Sequence, residues 1–555
     1  MNQPPNDDLA IARGRTLQPI NNILDELAVP ERYRECYGTT KAKIDPAFVG
    51  PVRPESRLVL VSGINPTPAG EGKTTVAIGL TQGLKRAGKG AVVALREPSL
   101  GPCMGMKGGA TGGGYSQVLP MEDINLHFTG DLHAVGAAHN LLAALIDNHI
   151  YQGNELGLDP RRITWTRVLD MNDRSLRHVV IGLGGALEGV PREAGYEITA
   201  ASEIMAVLCL SLSYQELRER IAAILVGLTY DRQPVRVADL KAENAVAALL
   251  RDALKPNLVQ TLEGCPAFIH GGPFANIAHG TNSLLATRMG LQTSDYVVTE
   301  AGFGFDLGAE KYFHIVCPRA GFTPALVVLV VTARALRWHG GADGRAPDPQ
   351  AVRRGMANLH KHMENVALFA VPLVVAINRF AGDTEEELDL IRAAVQAAGA
   401  EAVVTDARDR GGAGARDLAR AVIKATARPP APFRPVYQPE DDTLTKVRKV
   451  ATRIYGAGDI SLSKKAMVRL ETIRLLGLEH LPVCIAKTPK SLSHDPDERG
   501  RPRDFTLEII DIQIATGAGF LIPVCGKIVR MPGLPRHPAA LDITLNDDGT
   551  IEGLF

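Results

Sequence analysis

The sequence predicts an α/β protein: a P-loop nucleoside triphosphate hydrolase-like main domain, a second α/β unit and a smaller mixed α+β C-terminal domain. Three observations carry this expectation. Short apolar runs, among them Leu58 to Val61, Ala91 to Leu95 and Leu326 to Val331, read as strands buried in a parallel sheet. From about residue 57 to 365 such runs alternate with helix-like segments. The first run leads directly into a glycine-bearing turn and a helix, which is the anatomy of a phosphate-binding loop.

That loop comprises Thr67, Pro68, Ala69, Gly70, Glu71, Gly72, Lys73, Thr74 and Thr75. A helix is predicted to open at Thr74 and to run through Val76, Ile78, Leu80 and Leu84. Backbone N–H groups at such a helix start point at one place, and the helix dipole favours negative charge there. Lys73 can reach the terminal phosphates of a nucleotide, and the Thr74 hydroxyl can hold Mg²⁺. Thr67 stands where the usual pattern has its first glycine. Ala91 to Leu95 follows the helix after the turn Ala87 to Gly90, so a strand–loop–helix–strand unit is expected. An ordinary βαβ turn would share these flanks without needing the lysine.

Arg96, Glu97, Pro98 and Ser99 end the next strand. In open α/β sheets ligands bind at the carboxyl ends of strands, so Arg96 is expected beside whatever Lys73 holds. An arginine there can grip a carboxylate or phosphate bidentately and stabilise charge developing on it. The segment Lys107 to Ser116 is dense in glycine, a composition that suits close approach of backbone to a ligand. It leads into the polar stretch Met121 to Asp131. His127, Asp131, His133 and His139 offer a candidate zinc set, although their spacing fits no H-E-x-x-H helix. Positioned hydrogen-bonding groups are the other reading.

From Val371 to about Ala427 a second α/β pattern appears, with strands at 371–377 and 402–405 and helices at 384–398 and 417–426. Its first strand ends in Asn378, Arg379 and Phe380. A strand ending in Asn-Lys-x-Asp reads guanine in one branch of P-loop proteins, and this segment departs from that pattern. Phe380 suits either stacking on a flat ring or packing in the core. The proline-dense segment Arg428 to Pro435 reads as an extended linker. Beyond it, helices at 444–455 and 464–476 precede strand-like runs near 505–530. The expected domains are therefore 1–365, 366–435 and 436–555.

Formal net charge is zero, which disfavours a nucleic-acid partner, because binding phosphates along a strand calls for a basic excess. Cysteines 36, 103, 209, 265, 317, 484 and 525 are scattered without a C-x-x-C, as in a reducing cytoplasm. The polar, acidic N-terminus is no signal peptide, and the longest strongly apolar run, residues 325–331, is far short of a membrane span.

Long motifs then set the chain beside a known family. Besides 67–75, they are Arg96 to Pro102, Lys107 to His133, Asp170 to Arg174 and Gly189 to Glu193. Further on come Gly271 to Gly280, Thr299 to Gly304, Leu481 to Lys487, Gly517 to Phe520 and Met531 to Pro535. In this order they resemble the monofunctional bacterial formate–tetrahydrofolate ligases, or 10-formyltetrahydrofolate synthetases, over nearly the whole chain. The resemblance implies Mg-ATP-dependent formylation of tetrahydrofolate through formyl phosphate, with formate, ATP and tetrahydrofolate as substrates. It also implies a cytoplasmic homotetramer activated by a monovalent cation, K⁺ or NH₄⁺. Residue by residue, it implies that Lys73 and Arg96 are catalytic and that Arg96 contacts formyl phosphate. It further implies that Phe380 stacks on the pterin, with Glu97 and Asp131 supplying carboxylates to the folate pocket.

The chain departs from the family pattern at three places. Arg408 stands where relatives present an aromatic opposite the pterin; a guanidinium can also lie flat on a ring, so Arg408 is a folate-binding candidate. Lys487 to Ser491 carries Pro489 and Lys490 in place of Gln-Tyr, and Thr281 replaces a frequent cysteine. Two rival readings stay open on the residues alone: another ATP-dependent carboxylate–amine ligase, like dethiobiotin synthetase, and a P-loop GTPase acting as a switch.

Overall fold

The computed structural model describes residues 8–106 and 111–554. Its centre is a long twisted sheet. The strands are β1 (Arg34–Tyr37), β2 (Lys41–Ile44), β3 (Arg57–Gly63), β4 (Ala91–Leu95), β5 (Asn257–Thr261) and β6 (Pro266–Ile269). They continue with β7 (Tyr296–Glu300), β8 (Leu326–Val331), β9 (Leu373–Asn378) and β10 (Glu401–Thr405). Their order across the sheet is β1-β2-β5-β6-β4-β7-β3-β8-β9-β10. The pairs from β6 to β10 are all parallel, whereas β1, β2, β5 and β6 pair antiparallel.

Alternation along β3 shows why these runs are strands. Leu58 and Leu60 enter one buried cluster, and Val59 and Val61 enter the other, on the opposite face. The second face is covered by helix α1 (Lys73–Arg86), through Val76, Leu80 and Leu84. A long helix, α2 (Asp131–Tyr151), lies in the insertion between β4 and β5. Helix α3 (Ala333–His339) follows β8 directly. Beyond a further helix, Pro349–Leu368, lie α4 (Glu385–Ala397), α5 (Ala407–Gly414) and α6 (Arg416–Ala425). Helix α5 packs closely on α1 because Gly79 offers no Cβ; one there would lie 2.5 Å from Cβ of Ala407.

Two points of connectivity go beyond the sequence reading. The strand after α1 does not pair with the strand before it, because β7 lies between β3 and β4 and is parallel to both. The strands of segment 366–435 also build no sheet of their own, since β9 and β10 continue the main sheet beyond β8. The proline segment is extended but tied down: Arg434 donates its N–H to Phe369 O at 2.9 Å, and Phe433 packs on Phe313.

Helix α7 (Thr443–Val450) runs without a break into a π-helical turn over 451–455, so the chain is helical to Tyr455 as expected. Strand β11 (Asp459–Leu462), helix α8 (Lys464–Leu475) and strands β12 (Thr506–Ala515) and β13 (Phe520–Cys525) follow. The three strands form a separate small sheet. It is joined to the rest by Glu203, whose carboxylate accepts N–H groups from Gly517 at 2.7 Å and Ala518 at 3.2 Å. It is joined again by Lys487, fully buried and paired with Asp306 at 2.7 Å. Among the described residues no helix is long and apolar enough to cross a membrane.

Candidate active site

Register sets the site. Gly63, Leu95, Glu300, Val331, Asn378 and Thr405 all end parallel strands, so the segments after them leave one edge of the sheet together. The loop 67–72 leaves β3 there and turns into α1 through Gly72, whose φ of 71° is left-handed. The side chain of Lys73 folds back over the strand end, where a Cβ on Gly63 would meet its Cδ at 3.2 Å.

Buried side chains hold the loop in shape. Glu71 turns inward, accepting the Thr67 N–H at 2.7 Å and the Thr332 hydroxyl. From the other side Asn378 donates its amide to Glu71 O at 3.0 Å. Arg334 donates to Gly70 O. Asn378 thus braces the loop, and its amide is not directed at a base. Upstream, the Asn65 amide donates to Asp306 at 3.1 Å and to Pro489 O at 3.3 Å, so the altered segment Lys487 to Ser491 supports the strand end.

Glu300 joins two of the predicted catalytic elements. The Thr74 hydroxyl donates to one of its oxygens at 2.8 Å, and the Arg96 guanidinium lies 3.8 Å from the other. Arg96 also donates to Pro273 O at 3.2 Å. Gly302 leaves room for it, since a Cβ there would sit 3.1 Å from the guanidinium. The Arg96 Nε and both ring nitrogens of buried His279 have no hydrogen-bond partner among the described residues. Burial, and then the positive charges of Arg96, Lys311 and Arg220, hold the His279 imidazole neutral, with its pKa down at about 3. The Arg96 Nε–H and the one N–H of a neutral His279 are thus unsatisfied donors, a kind of group that can receive an anion.

Glu97 and Asp131 lie together but deep. Asp131 pairs with buried Lys43 at 2.7 Å and accepts from Asn257 at 2.7 Å. Burial, reinforced by the Asp131 charge, pushes the Glu97 carboxyl well above the usual carboxylate range. A shift in that direction favours the protonated form of the Glu97 carboxyl, against the opposing charge of Lys43. His139 takes no part in a metal set: it stacks on Trp165, contacts Ser202 at 2.8 Å, and is held neutral by burial. No cluster of three metal-ligating side chains occurs among the described residues.

Phe380 and Arg408 follow β9 and β10, the neighbouring strand ends. Phe380 thus follows the fourth strand along the sheet from β4, and Arg408 the fifth. The guanidinium carbon of Arg334 sits 4.7 Å over the Phe380 ring. Arg408 turns instead to Asp8, at 2.8 Å, and its carbonyl accepts the Tyr115 N–H at 2.7 Å. Residues 107–110 of the glycine-rich stretch lie outside the described residues.

Sequence reasoning missed the roles of Glu300, Arg334, Asn378 and His279. Glu300 and His279 stand within the motifs noted above, but nothing in their spacing assigns them a partner. Arg334 had no signal, because only the neighbouring places of β3, β8 and β9 bring it to the loop.

An α/β enzyme of the ligase class is what the comparisons with known proteins define. Residues 6–555 match the family model "Formate--tetrahydrofolate ligase", and the chain belongs to that family. The formate–tetrahydrofolate ligase of Symbiobacterium thermophilum is 54% identical over 99% of this chain and 100% of its own. That of Granulibacter bethesdensis is 52% identical over 100% of this chain and 98% of its own. That of Bacillus licheniformis is 52% identical over 99% of both.

Proposed function

We propose that the enzyme joins formate to tetrahydrofolate with cleavage of ATP, giving 10-formyltetrahydrofolate, ADP and phosphate. Formate is a poor electrophile because its carboxylate delocalises charge. In this reading a formate oxygen attacks the γ-phosphorus of ATP and ADP leaves, forming formyl phosphate. The folate N10 amine then attacks the formyl carbon, inorganic phosphate leaves, and the amine proton is lost.

Loop 67–75 acts as a P-loop for the nucleotide, and Lys73 with the loop amides stabilises charge on the transferring phosphoryl group. Arg96 grips formyl phosphate, and neutral His279 can hydrogen-bond beside it. Thr74 and Glu300 are hard oxygen donors of the type that suits Mg²⁺, which supplies charge neutralisation on the phosphates when bound. Phe380 stacks on the pterin, Glu97 and Asp131 serve the folate pocket, and Arg408 stands near the Phe380 wall. A homotetramer, cytoplasmic location and activation by K⁺ or NH₄⁺ come to this chain from its family resemblance.

The observation that carries the reading is the meeting of Thr74 and Arg96 on Glu300, in a chain that matches the family from end to end. The test uses ¹⁸O-labelled formate. One labelled oxygen should appear in the released phosphate; unlabelled phosphate alongside 10-formyltetrahydrofolate would exclude the formyl-phosphate route.

A further inference from the structure

Arg334 touches both halves of the site. It stands in the first turn of α3, immediately after β8, the strand between the loop strand β3 and the Phe380 strand β9. Its guanidinium donates to Gly70 O in the loop, and the same group lies over the Phe380 ring at 4.7 Å. Its Nε is buried and has no hydrogen-bond partner among the described residues. One residue earlier but one, the Thr332 hydroxyl is bound to Glu71 of the same loop. One planar cation therefore links the nucleotide loop to the aromatic wall.

We infer that Arg334 couples occupancy of the nucleotide loop to that of the folate slot. The inference rests on the reading of Phe380 as the pterin wall. A guanidinium on an aromatic face is held by the ring quadrupole, a soft attraction that fixes no single position. Phosphates bound at the loop present a stronger, charged acceptor within reach of the same donors. They draw the guanidinium onto the phosphates and off the ring, and the face it releases is one on which a pterin can stack. Nucleotide binding thus strengthens tetrahydrofolate binding. By linkage, tetrahydrofolate strengthens nucleotide binding by the same factor. Arg334 is a positioning residue in this scheme, since its effect on folate is exerted through Phe380.

The test is calorimetric, on the full-length enzyme with formate omitted so that no turnover occurs. Tetrahydrofolate affinity is measured with and without a Mg²⁺-bound non-hydrolysable ATP analogue. The wild type should bind tetrahydrofolate about tenfold more tightly with the analogue present, a coupling of ordinary size. Arg334→Ala should bring that factor to about one, by tightening tetrahydrofolate binding in the absence of nucleotide. Arg334→Lys keeps the charge but not the flat contact and should give an intermediate factor, so the scheme is tested even if the alanine variant does not fold. A wild type whose folate affinity ignores the analogue, or a variant of either kind with full coupling, overturns the inference. Formation of 10-formyltetrahydrofolate by the wild type, run in parallel, separates the two readings: turnover without coupling removes only the role of Arg334, and no turnover removes the ligase reading with it.

Discussion

Each polar side chain near the loop has a contact that sets its task. Lys73 sits at the first position of α1, where loop and helix dipole concentrate positive potential. Lys73→Ala should lower turnover by on the order of 10²–10³-fold, as for loss of one preorganised charge contact, with the melting temperature unchanged. Near-normal turnover in the folded variant would take Lys73 out of the mechanism. Arg408 is a different case, because its guanidinium is engaged with Asp8. Arg408→Ala should therefore change the KM for tetrahydrofolate only slightly. Arg408→Trp should lower it a few-fold, since a stacked ring contact is worth about 0.5–1.5 kcal/mol. The KM for ATP should stay constant in both; a shift in ATP alone would mean that position 408 does not face the folate slot.

Among elements, the turn into α1 is the most constrained. A Cβ on Gly72 would lie 2.5 Å from the Asn378 amide, and the φ of 71° is itself unfavourable for any side chain. Gly72→Ala should cost on the order of 1–3 kcal/mol in stability and raise the KM for ATP, because Asn378 must release Glu71 O. Unchanged melting and ATP kinetics would show that the loop is slack there. The strands β3, β4, β8, β9 and β10 were legible because buried β-branched runs look like little else. The tight turn into α1 was legible because glycines followed by Lys73, Thr74 and Thr75 stand directly after a buried apolar run. Pairing was not legible. Nothing in Tyr296 to Glu300 says that it inserts between β3 and β4, since register is decided by crossovers hundreds of residues apart. For the same reason Arg96 and Glu97 could be assigned to the strand end, whereas their contacts with Glu300 and Asp131 could not.

For the molecule as a whole, the seam between the small C-terminal sheet and the body should respond to pH. Burial raises the Glu203 carboxyl to about 7, although the N–H groups of Ala518 and Gly517 favour its charged form. Its folded pKa lies above its unfolded value, so the associated stability is fully present below about pH 4.3 and is lost as pH rises through about 7. The melting temperature should fall between about pH 5 and pH 8, and Glu203→Gln should flatten that fall. An equally steep profile in the variant would assign the titration elsewhere. The sheet order has a further consequence, for synthesis on the ribosome. The strand that leads into loop 67–72 ends at Gly63, but its two neighbours begin only at Tyr296 and Leu326. At about 5–20 residues per second, the nascent chain holds that strand with both edges open for on the order of ten seconds to a minute. Throughout this time its backbone can pair with any other exposed strand, so a segment made early waits on neighbours made late and is open to wrong pairing meanwhile.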